Sequence, residues 1–169
     1  MRQQIAISGL GGQGVLLLTR LLAETALAMG LDAISSETHG MAMRGGAVVS
    51  HLKIGPWPSP LIRAGQADVA FFLARENLTV HPHLIGDKTR VFVNGSGFGP
   101  YEIIDASRLA EETAGTRQVE NMALLGFALG RNSLFCNLKQ LTEALAGLGR
   151  KKASLEAGLK ALNAGFAQA

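Results

Sequence analysis

Short apolar runs alternate with longer segments of helical periodicity along most of the chain. The runs with the length and apolar character of strands cover residues 4–8, 32–36, 47–54, 68–74, 90–94 and 102–104. The segments with apolar residues at helical spacing cover residues 15–29, 107–114, 118–131, 138–146 and 153–167. Strands that alternate with helices predict an α/β fold, with a mostly parallel sheet, helices on both of its faces and a helical C-terminal tail.

The length of the chain bounds the number of domains. At 169 residues it is long enough to bury one sizeable core and too short to suggest two. The sequence shows neither an internal repeat nor a clear linker. We therefore expect a single Rossmann-like domain over residues 1–169.

The segment VENMALLGFALG, residues 119–130, is apolar almost all round, which predicts a buried helix. Gly126 and Gly130 are four residues apart on one face, where the missing side chains let another backbone approach. We favour packing within the domain over a contact between subunits as the explanation. Asn121 in the same segment is expected to be a structural amide that caps or cross-links a neighbouring loop.

A glycine-rich stretch, SGLGGQG at residues 8–14, joins the first predicted strand to the first predicted helix. Gly9, Gly11 and Gly14 fit the G-x-G-x-x-G pattern, and Gly12 adds a fourth glycine. The N–H groups at the start of the following helix favour an anion there. The stretch predicts an anion- or nucleotide-binding turn, to which Gln13 could add its side-chain amide. The alternative is that the glycines only close a tight turn between strand and helix.

Glu37 supports one specific version of this hypothesis. A dinucleotide-binding fold has an acidic residue near the end of its second strand, where it binds the ribose hydroxyls. Glu37 has this position in the sequence, which makes a free-standing NAD- or FAD-binding module an alternative function. The loop THGMAMRGG that follows Glu37 carries a cation and two adjacent glycines, and a simple hydride-transfer module gives no reason for it.

The charge of the chain gives little indication of a charged partner. Lys and Arg number 16 and Asp and Glu number 13, for a formal net charge of +3. The tight basic cluster at residues 150–152 has no interleaved aromatic side chains, unlike a nucleic-acid-binding groove. We expect no nucleic-acid partner and at most a mild preference for acidic partners or phosphates.

Cys136 is the only cysteine, which excludes an internal disulfide and a self-contained iron–sulfur cluster, because such clusters need several cysteine ligands. In its apolar setting Cys136 is expected to be a buried small residue. The first residues lack a signal-peptide pattern, and Arg20 and Glu24 interrupt the longest apolar segment. We expect a cytoplasmic protein with no membrane span and no metal site of its own.

Five motifs follow one another along the chain. They are GxGGQG at residues 9–14, SExHGMAxRGG at 36–46, SHxxIG at 50–55, PLIRAGQADV at 60–69 and NMALLG at 121–126. With these motifs the chain resembles the gamma domain of the thiamine-dependent 2-oxoacid:acceptor oxidoreductases, and most closely the small (beta) subunit of indolepyruvate:ferredoxin oxidoreductase. The likeness is dense over about the first third of the chain and looser after it.

This resemblance implies a subunit of an enzyme that decarboxylates a 2-oxo acid, indolepyruvate or another aryl pyruvate, on thiamine diphosphate. It implies that electrons pass through 4Fe–4S clusters to ferredoxin and that the acyl group passes to coenzyme A. The chain has no GDG with a downstream NN to place magnesium and the diphosphate, and it has too few cysteines for a cluster. We expect thiamine diphosphate, Mg²⁺ and the clusters on a large alpha subunit. In such a hetero-oligomer this chain alone would be inactive and would supply no catalytic residue.

The loop THGMAMRGG is the second candidate site. The residues expected to face the partner subunit and its active site are His39, Met41, Arg44, Gly45 and Gly46. The permanent charge of Arg44 suits a carboxylate or phosphate, and His39 titrates near neutral pH unless it is perturbed. The alternative is structural, with Arg44 in an ion pair, Met41 and Met43 as core residues and His39 at the surface. A third hypothesis makes the whole chain a purely structural scaffold.

Overall fold

A computed structural model of the chain describes residues 1–39 and 45–169. Its strands are β1 (Gln3–Leu10), β2 (Ala33–His39), β3 (Ala47–Ile54), β4 (Val69–Phe72), β5 (Arg90–Asn94) and β6 (Glu102–Ile104). Its α-helices are α1 (Val15–Ala28), α2 (Asn77–Val80), α3 (Ala106–Ala114), α4 (Glu120–Gly130), α5 (Leu138–Gly147) and α6 (Lys152–Ala167). Short 3₁₀ helices cover Pro82–Leu84 and Arg117–Val119. Every predicted strand and helix is present, with ends that differ by a few residues.

The six strands form one sheet in the order β2-β3-β1-β4-β5-β6. β1 pairs in parallel with β4, β4 with β5, and β5 with β6. β3 pairs antiparallel with both β1 and β2, so among the described strands it alone runs against the others. The sheet is mostly parallel, as the sequence predicts. The carboxyl ends of the five parallel strands lie at one edge, called here the carboxyl edge, together with the start of β3 at Ala47.

The central strands β1, β4 and β5 are buried on both faces of the sheet, since nearly all their residues are buried and successive side chains of a strand point to opposite faces. Ile5 and Ile7 of β1 belong to the larger of two apolar clusters, whereas Ala6 between them belongs to the smaller one. The larger cluster includes residues of α1, α3, α4, α5 and α6. The smaller cluster includes Ile62 and Leu84 from the segments around β4. The sheet is therefore covered on both faces, but the long helices share one face, and loops with short helices cover the other.

Helices α4 and α6 approach each other through glycines. Gly126 of α4 lies against the backbone of Leu162, and Gly165 of α6 lies against the backbone of α4. Gly130 lies in the same way against Phe166. A Cβ atom at any of these glycines would overlap the facing helix. The predicted packing of Gly126 and Gly130 within the domain is confirmed.

None of the helices in residues 1–39 and 45–169 has the combined length and hydropathy that a membrane span requires.

Candidate functional site

The stretch SGLGGQG, called here the Gly-rich turn (residues 8–14), comprises the last residues of β1 and the tight turn that joins β1 to α1 at the carboxyl edge. Gly12 and Gly14 have φ angles of 96° and 80°, in the left-handed region that favours glycine. Gly14 immediately precedes α1, and its carbonyl oxygen accepts the first helical hydrogen bond from Leu18 at 3.0 Å. The conformation of the turn thus requires two of its glycines.

At Gly9 and Gly11 a Cβ atom would meet close neighbours, although neither residue has a φ angle in the left-handed region. A Cβ at Gly9 would lie 2.8 Å from Cγ2 of Val15, closer than real Cβ contacts. A Cβ at Gly11 would lie 3.3 Å from the backbone nitrogen of Gly45, and the Gly11 N–H donates to the carbonyl oxygen of Gly46 at 3.0 Å. The Gly-rich turn therefore contacts the residues before β3 through its backbone.

Asn121 of α4 makes the contact that requires Gly14. Its Nδ2 donates to the carbonyl oxygen of Gly14 at 3.2 Å, and its Oδ1 accepts from the Met122 N–H at 2.9 Å. A Cβ at Gly14 would overlap Nδ2 of Asn121. Asn121 is thus the structural amide that the sequence predicts, and it cross-links α4 to the Gly-rich turn.

The side chain of Gln13 stabilises the Gly-rich turn through hydrogen bonds within the chain. Its Oε1 accepts from the Leu10 N–H at 2.7 Å. Its Nε2 donates to the carbonyl oxygen of Leu73 at 3.1 Å and to Oε1 of Glu120 at 2.9 Å. Both amide hydrogens of Gln13 are therefore used inside the chain. A ligand could bind this amide only by replacing one of these bonds, so the predicted contact of Gln13 with a ligand stays a prediction.

Glu120, the first residue of α4, extends this hydrogen-bond network along the carboxyl edge. Its Oε2 accepts from Oγ of Ser107 at 2.5 Å, and the same Oγ accepts from Nδ2 of Asn94 at 2.9 Å. Oδ1 of Asn94 accepts from the N–H groups of Ala106 and Ser107. The network joins the ends of β5, α3 and α4 to the turn. It also places a carboxylate next to Gln13, where a negative charge opposes a bound anion.

A polar cleft of about 440 Å³ lies beside the Gly-rich turn at the carboxyl edge. Its polar lining residues are Gln13, Arg75, Glu76, Asn94, Ser96, Asp105, Ser107 and Arg117. Arg75 donates to the carbonyl oxygen of Ser96, and Arg117 pairs with Glu111 at 2.6 Å. The cleft offers charges of both signs. The sequence analysis missed it, although Asn94, a polar residue at the end of a buried strand, was an available signal.

The second candidate site falls only partly within the described residues. The backbone of His39 ends β2, and Gly45, with a φ of 93°, precedes Gly46 and β3. Met41, Met43 and Arg44 lie outside the described residues, and the predicted roles of the whole loop stay predictions. The bond from Gly11 to Gly46 brings the end of this loop against the Gly-rich turn, so the two motifs that the sequence separates are in contact.

The position of Glu37 does not support a ribose contact. Glu37 pairs with Ser50 of β3, and Ser50 pairs with Ile7 of β1. Glu37 therefore lies two strand spacings, about 10 Å, from the middle of β1, whereas a dinucleotide fold needs this acid beside the glycine turn. The antiparallel β3 between β1 and β2 causes the difference. The glycine turn on which a free-standing NAD- or FAD-binding module also depends is present, but the acidic residue is not on the strand next to it.

The sequence analysis also missed a buried polar group on the second face of the sheet. Oγ of Ser8 is 2.9 Å from Nδ1 of His81 and accepts from Nδ2 of Asn77 at 3.0 Å. Nδ1 of the buried His51 accepts from the Ile62 N–H at 3.0 Å. Burial is the main reason why the pKa of both histidines is lowered. The available signal was the HPH triplet between two predicted strands.

The described residues do not fit a metal centre or an iron–sulfur cluster. Over residues 1–39 and 45–169, no group of three or more His, Cys, Asp and Glu side chains is placed to hold a metal ion. Cys136 is buried, and this burial raises the pKa of its thiol to about 12. A thiol with this pKa is protonated at neutral pH. Cys136 is the buried residue that the sequence predicts.

The sequence matches a known family over nearly its whole length. The family described as "POR: Pyruvate ferredoxin/flavodoxin oxidoreductase" matches residues 4–168. The chain belongs to this family.

Relatives in the pyruvate ferredoxin/flavodoxin oxidoreductase family include named subunits of 2-oxoacid enzymes. The "Indolepyruvate oxidoreductase subunit IorB" of Archaeoglobus fulgidus is 31% identical, over 100% of this chain and 96% of that protein. The "2-oxoglutarate synthase subunit KorC" of Methanothermobacter marburgensis is 34% identical over 75% of each chain. The chain is a homologue of the small subunits of the 2-oxoacid:ferredoxin oxidoreductases, as its motifs imply.

The fold agrees with a solved structure from the same group of proteins. The crystal structure of the keto/oxoacid ferredoxin oxidoreductase gamma subunit from Geobacter sulfurreducens has a TM-score of 0.77 at 24% identity, over 98% of this chain and 97% of that one. At this identity the likeness is one of fold. It confirms the predicted α/β fold.

Proposed function

We propose that this chain is the small subunit of a thiamine-diphosphate-dependent indolepyruvate, or other aryl pyruvate, ferredoxin oxidoreductase. The observation that carries the proposal is the full-length similarity to subunit IorB, 31% identity over 96% of that protein, together with the SExHGMAxRGG loop. The partner is a large alpha subunit. The complex oxidises the 2-oxo acid, passes electrons to ferredoxin and transfers the acyl group to coenzyme A.

The cofactors belong to the partner in this proposal. The chain has one cysteine, which is buried, whereas an iron–sulfur cluster needs several cysteine ligands. On the large subunit, thiamine diphosphate supplies the chemistry of decarboxylation and the clusters carry the electrons. The small subunit positions loops at the carboxyl edge, where Gly11 and Gly46 join the Gly-rich turn to the end of the 39–46 loop.

Two roles follow for the loops of the small subunit. The 39–46 loop, with His39, Met41 and Arg44, faces the partner subunit and its active site. The start of α1 binds an anionic group, such as part of coenzyme A, because the N–H groups of a first helical turn have no partner within the helix. The Glu120 carboxylate beside Gln13 weakens the binding of an anion there but leaves these N–H groups available. Since Gln13 is bonded within the chain, the backbone of the turn and not this side chain would carry the contact.

The experiment is co-expression of the chain with the large subunit, followed by assays of 2-oxo acid- and coenzyme A-dependent reduction of ferredoxin. Indolepyruvate, phenylpyruvate, pyruvate and 2-oxoglutarate are compared by kcat/KM, and the acyl-CoA is identified by mass spectrometry. We expect the aryl pyruvates to be preferred, and we expect the small subunit alone to show no turnover. A preference for 2-oxoglutarate would contradict the proposed specificity for aryl pyruvates. Activity of the large subunit without the small subunit would contradict the proposal that turnover requires this chain.

A further inference from the structure

The strand β2 forms one outer edge of the sheet and is long for an edge strand. It has seven residues, whereas β6 at the opposite edge has three. Among residues 1–39 and 45–169, only β3 pairs with β2, so the outer side of β2 has no neighbouring strand there. A long unpaired edge is a template for another strand, and native proteins usually shorten, cover or block such edges.

The hydrogen-bond pattern shows which backbone groups of β2 point outwards. The Gly55 N–H donates to the carbonyl oxygen of Asp32 at 2.7 Å, and this pair continues the register in which Ile34 lies opposite Lys53. Hydrogen-bonded pairs alternate along an antiparallel ladder. The residues of β2 that bond to β3 are therefore Ile34, Ser36 and Thr38. The residues whose N–H and C=O groups point away from the sheet are Ala33, Ser35 and Glu37.

The sequence of β2 carries few of the features that protect an edge. The strand reads AISSETH, with neither a proline nor a lysine, and its register with β3 runs from end to end without a bulge. Ser35 and Glu37, whose backbone groups point outwards, are both exposed. This edge is therefore suited to accept another strand.

An apolar stripe of α1 lies beside the same edge. Leu16, Ala23 and Leu27 share one side of the helix, and Leu16 and Leu27 are 42% and 55% exposed. Thr19 fixes the orientation of α1, because its Oγ1 donates to Oγ of Ser50 on β3. The stripe is rotated from Thr19 away from the side of α1 that forms a groove with α5, and it therefore lies on the side of β2.

Two copies of β2 complement each other when they pair antiparallel about a two-fold axis at Ser36. Ser35 of one copy then lies opposite Glu37 of the other, so the two carboxylates do not face each other. Ile34 lies opposite Thr38, and pairs of β-branched side chains stabilise a sheet. The outward backbone groups of both copies meet in one ladder. The same axis places the α1 stripes of the two copies on one face of the joined sheet.

We infer that two copies of this chain pair through β2, antiparallel about Ser36, and join their six-stranded sheets into one. The inference goes beyond the proposed function and needs no large subunit. The occupant is a second copy because one two-fold axis, the commonest symmetry of oligomers, satisfies the outward backbone groups, separates the Glu37 charges and brings the α1 stripes together.

Cysteine cross-linking tests the register. In Ser36→Cys the two new thiols would belong to a non-hydrogen-bonded pair with Cα atoms about 4.5 Å apart, a separation that a disulfide spans. Thr38→Cys is the matched control on the same face. Thr38 is more exposed than Ser36, but its two copies would lie about 14 Å apart along the strands. We expect mild oxidation to convert most of the Ser36→Cys chain into a covalent dimer and to leave Thr38→Cys monomeric under denaturing conditions. The wild-type chain should behave like Thr38→Cys, because its one cysteine, Cys136, is buried.

Analytical ultracentrifugation over a concentration series measures self-association of the free chain. The wild-type chain should approach twice its mass of 17.7 kDa. Ser35→Pro removes an N–H that points away from β3, a position where an edge strand tolerates proline, so its melting temperature should stay close to that of the wild type. Its dimer Kd should rise at least about tenfold, because main-chain hydrogen bonds supply the affinity of edge pairing. Ser35→Thr keeps the N–H and should keep the wild-type Kd.

The inference would be overturned by a wild-type chain that is monomeric at every concentration, or by equal cross-linking of Ser36→Cys and Thr38→Cys. A folded Ser35→Pro variant with the wild-type dimer Kd would also overturn it. If the free chain is monomeric and Ser35→Pro loses only its binding to the large subunit, the edge accepts a strand of that subunit and the inference is wrong. If Ser35→Pro does not fold, the cross-linking pattern decides. The proposed function is tested separately, by the substrate assay of the wild-type complex.

Discussion

A glycine is required either by its own backbone angles or by what lies next to it, and the Gly-rich turn contains both cases. Gly12 has a φ of 96° and nothing within 4 Å of a Cβ position. Gly14 has a φ of 80° and also faces Nδ2 of Asn121. The two residues therefore separate the cost of a left-handed conformation from the cost of a steric overlap with a neighbouring side chain.

The first prediction compares alanine at these two positions. Gly12→Ala should lower the free energy of unfolding by about 1 to 2 kcal/mol, the cost of an L-residue in the left-handed region. Gly14→Ala should cost about 1 kcal/mol more, because the new Cβ displaces the Asn121 amide and breaks its hydrogen bond. Urea unfolding of both variants measures the difference. Equal losses would show that the bond from Asn121 contributes nothing to stability.

The second prediction concerns Arg44, whose proposed role is at the interface. A surface ion pair contributes only about 0 to 1 kcal/mol, so Arg44→Ala should leave the melting temperature of the free chain nearly unchanged. Removing one partner of a buried charge pair across an interface typically costs about 2 to 5 kcal/mol, which would weaken assembly or turnover by more than about tenfold. Thermal melting of the free variant checks the expected stability, and the activity of the reconstituted complex checks the expected loss of assembly or turnover. A large drop in melting temperature with normal activity would make Arg44 a structural residue.

At the scale of elements, α4 and α6 are held together by close backbone contact. Gly126 and Gly165 bring the two helices near enough that the carbonyl oxygen of Leu162 would overlap a Cβ on Gly126. Helix backbones at such a separation gain dispersion energy along both elements. The gain depends on the absence of side chains at these positions, since overpacking forces the helices apart.

The third prediction uses two helical glycines with opposite surroundings. Gly126→Ala should lower the free energy of unfolding by about 3 kcal/mol, because α6 must shift to admit the new Cβ. Gly147→Ala, in the last turn of α5 with nothing within 4 Å of its Cβ position, should be neutral or stabilising by up to about 1 kcal/mol. Chemical denaturation measures both. A mild effect of Gly126→Ala would mean that α6 is not held at this distance.

For the whole molecule, the buried His51 and the half-buried His81 couple folding to pH. The pKa of His51 is lowered from its ordinary value of 6.5, first by burial and then by the charges of His83, Lys53 and His81. The unfolded chain therefore binds a proton more readily than the folded one at mildly acid pH. Stability is present above the unfolded pKa and is lost as the pH falls below about 6.5 towards the folded pKa. Protonation also removes the acceptor for the Ile62 N–H.

The fourth prediction is a weaker pH dependence of stability in His51→Asn. The wild-type free energy of unfolding should fall between about pH 7.5 and pH 5.5, and a single histidine contributes at most about 1.4 kcal/mol per pH unit. His51→Asn removes one titrating group and keeps an amide oxygen near the Ile62 N–H, so its slope should be smaller. Part of the slope should remain because His81 also has a lowered pKa. An unchanged slope would exclude His51 as a source of the pH dependence.

The sequence by itself determined the features that depend on neighbours along the chain. The predicted strands at 47–54, 90–94 and 102–104 coincide with β3, β5 and β6, because the period of apolar residues is a local signal. Asn137 and Gln140, three residues apart, likewise form the capping box that begins α5 through a contact between near neighbours. The motifs at 9–14 and 36–46 identified the family for the same reason, since each is a short contiguous pattern.

Only the tertiary structure decided which of these segments meet. The insertion of β3 between β1 and β2 moved Glu37 away from the Gly-rich turn, although its place in the sequence suited a ribose contact. The bond between Gly11 and Gly46 and the use of the Gln13 amide by Glu120 join residues far apart in sequence. Strand order and such contacts depend on the free energy of packing distant segments, which no local pattern contains.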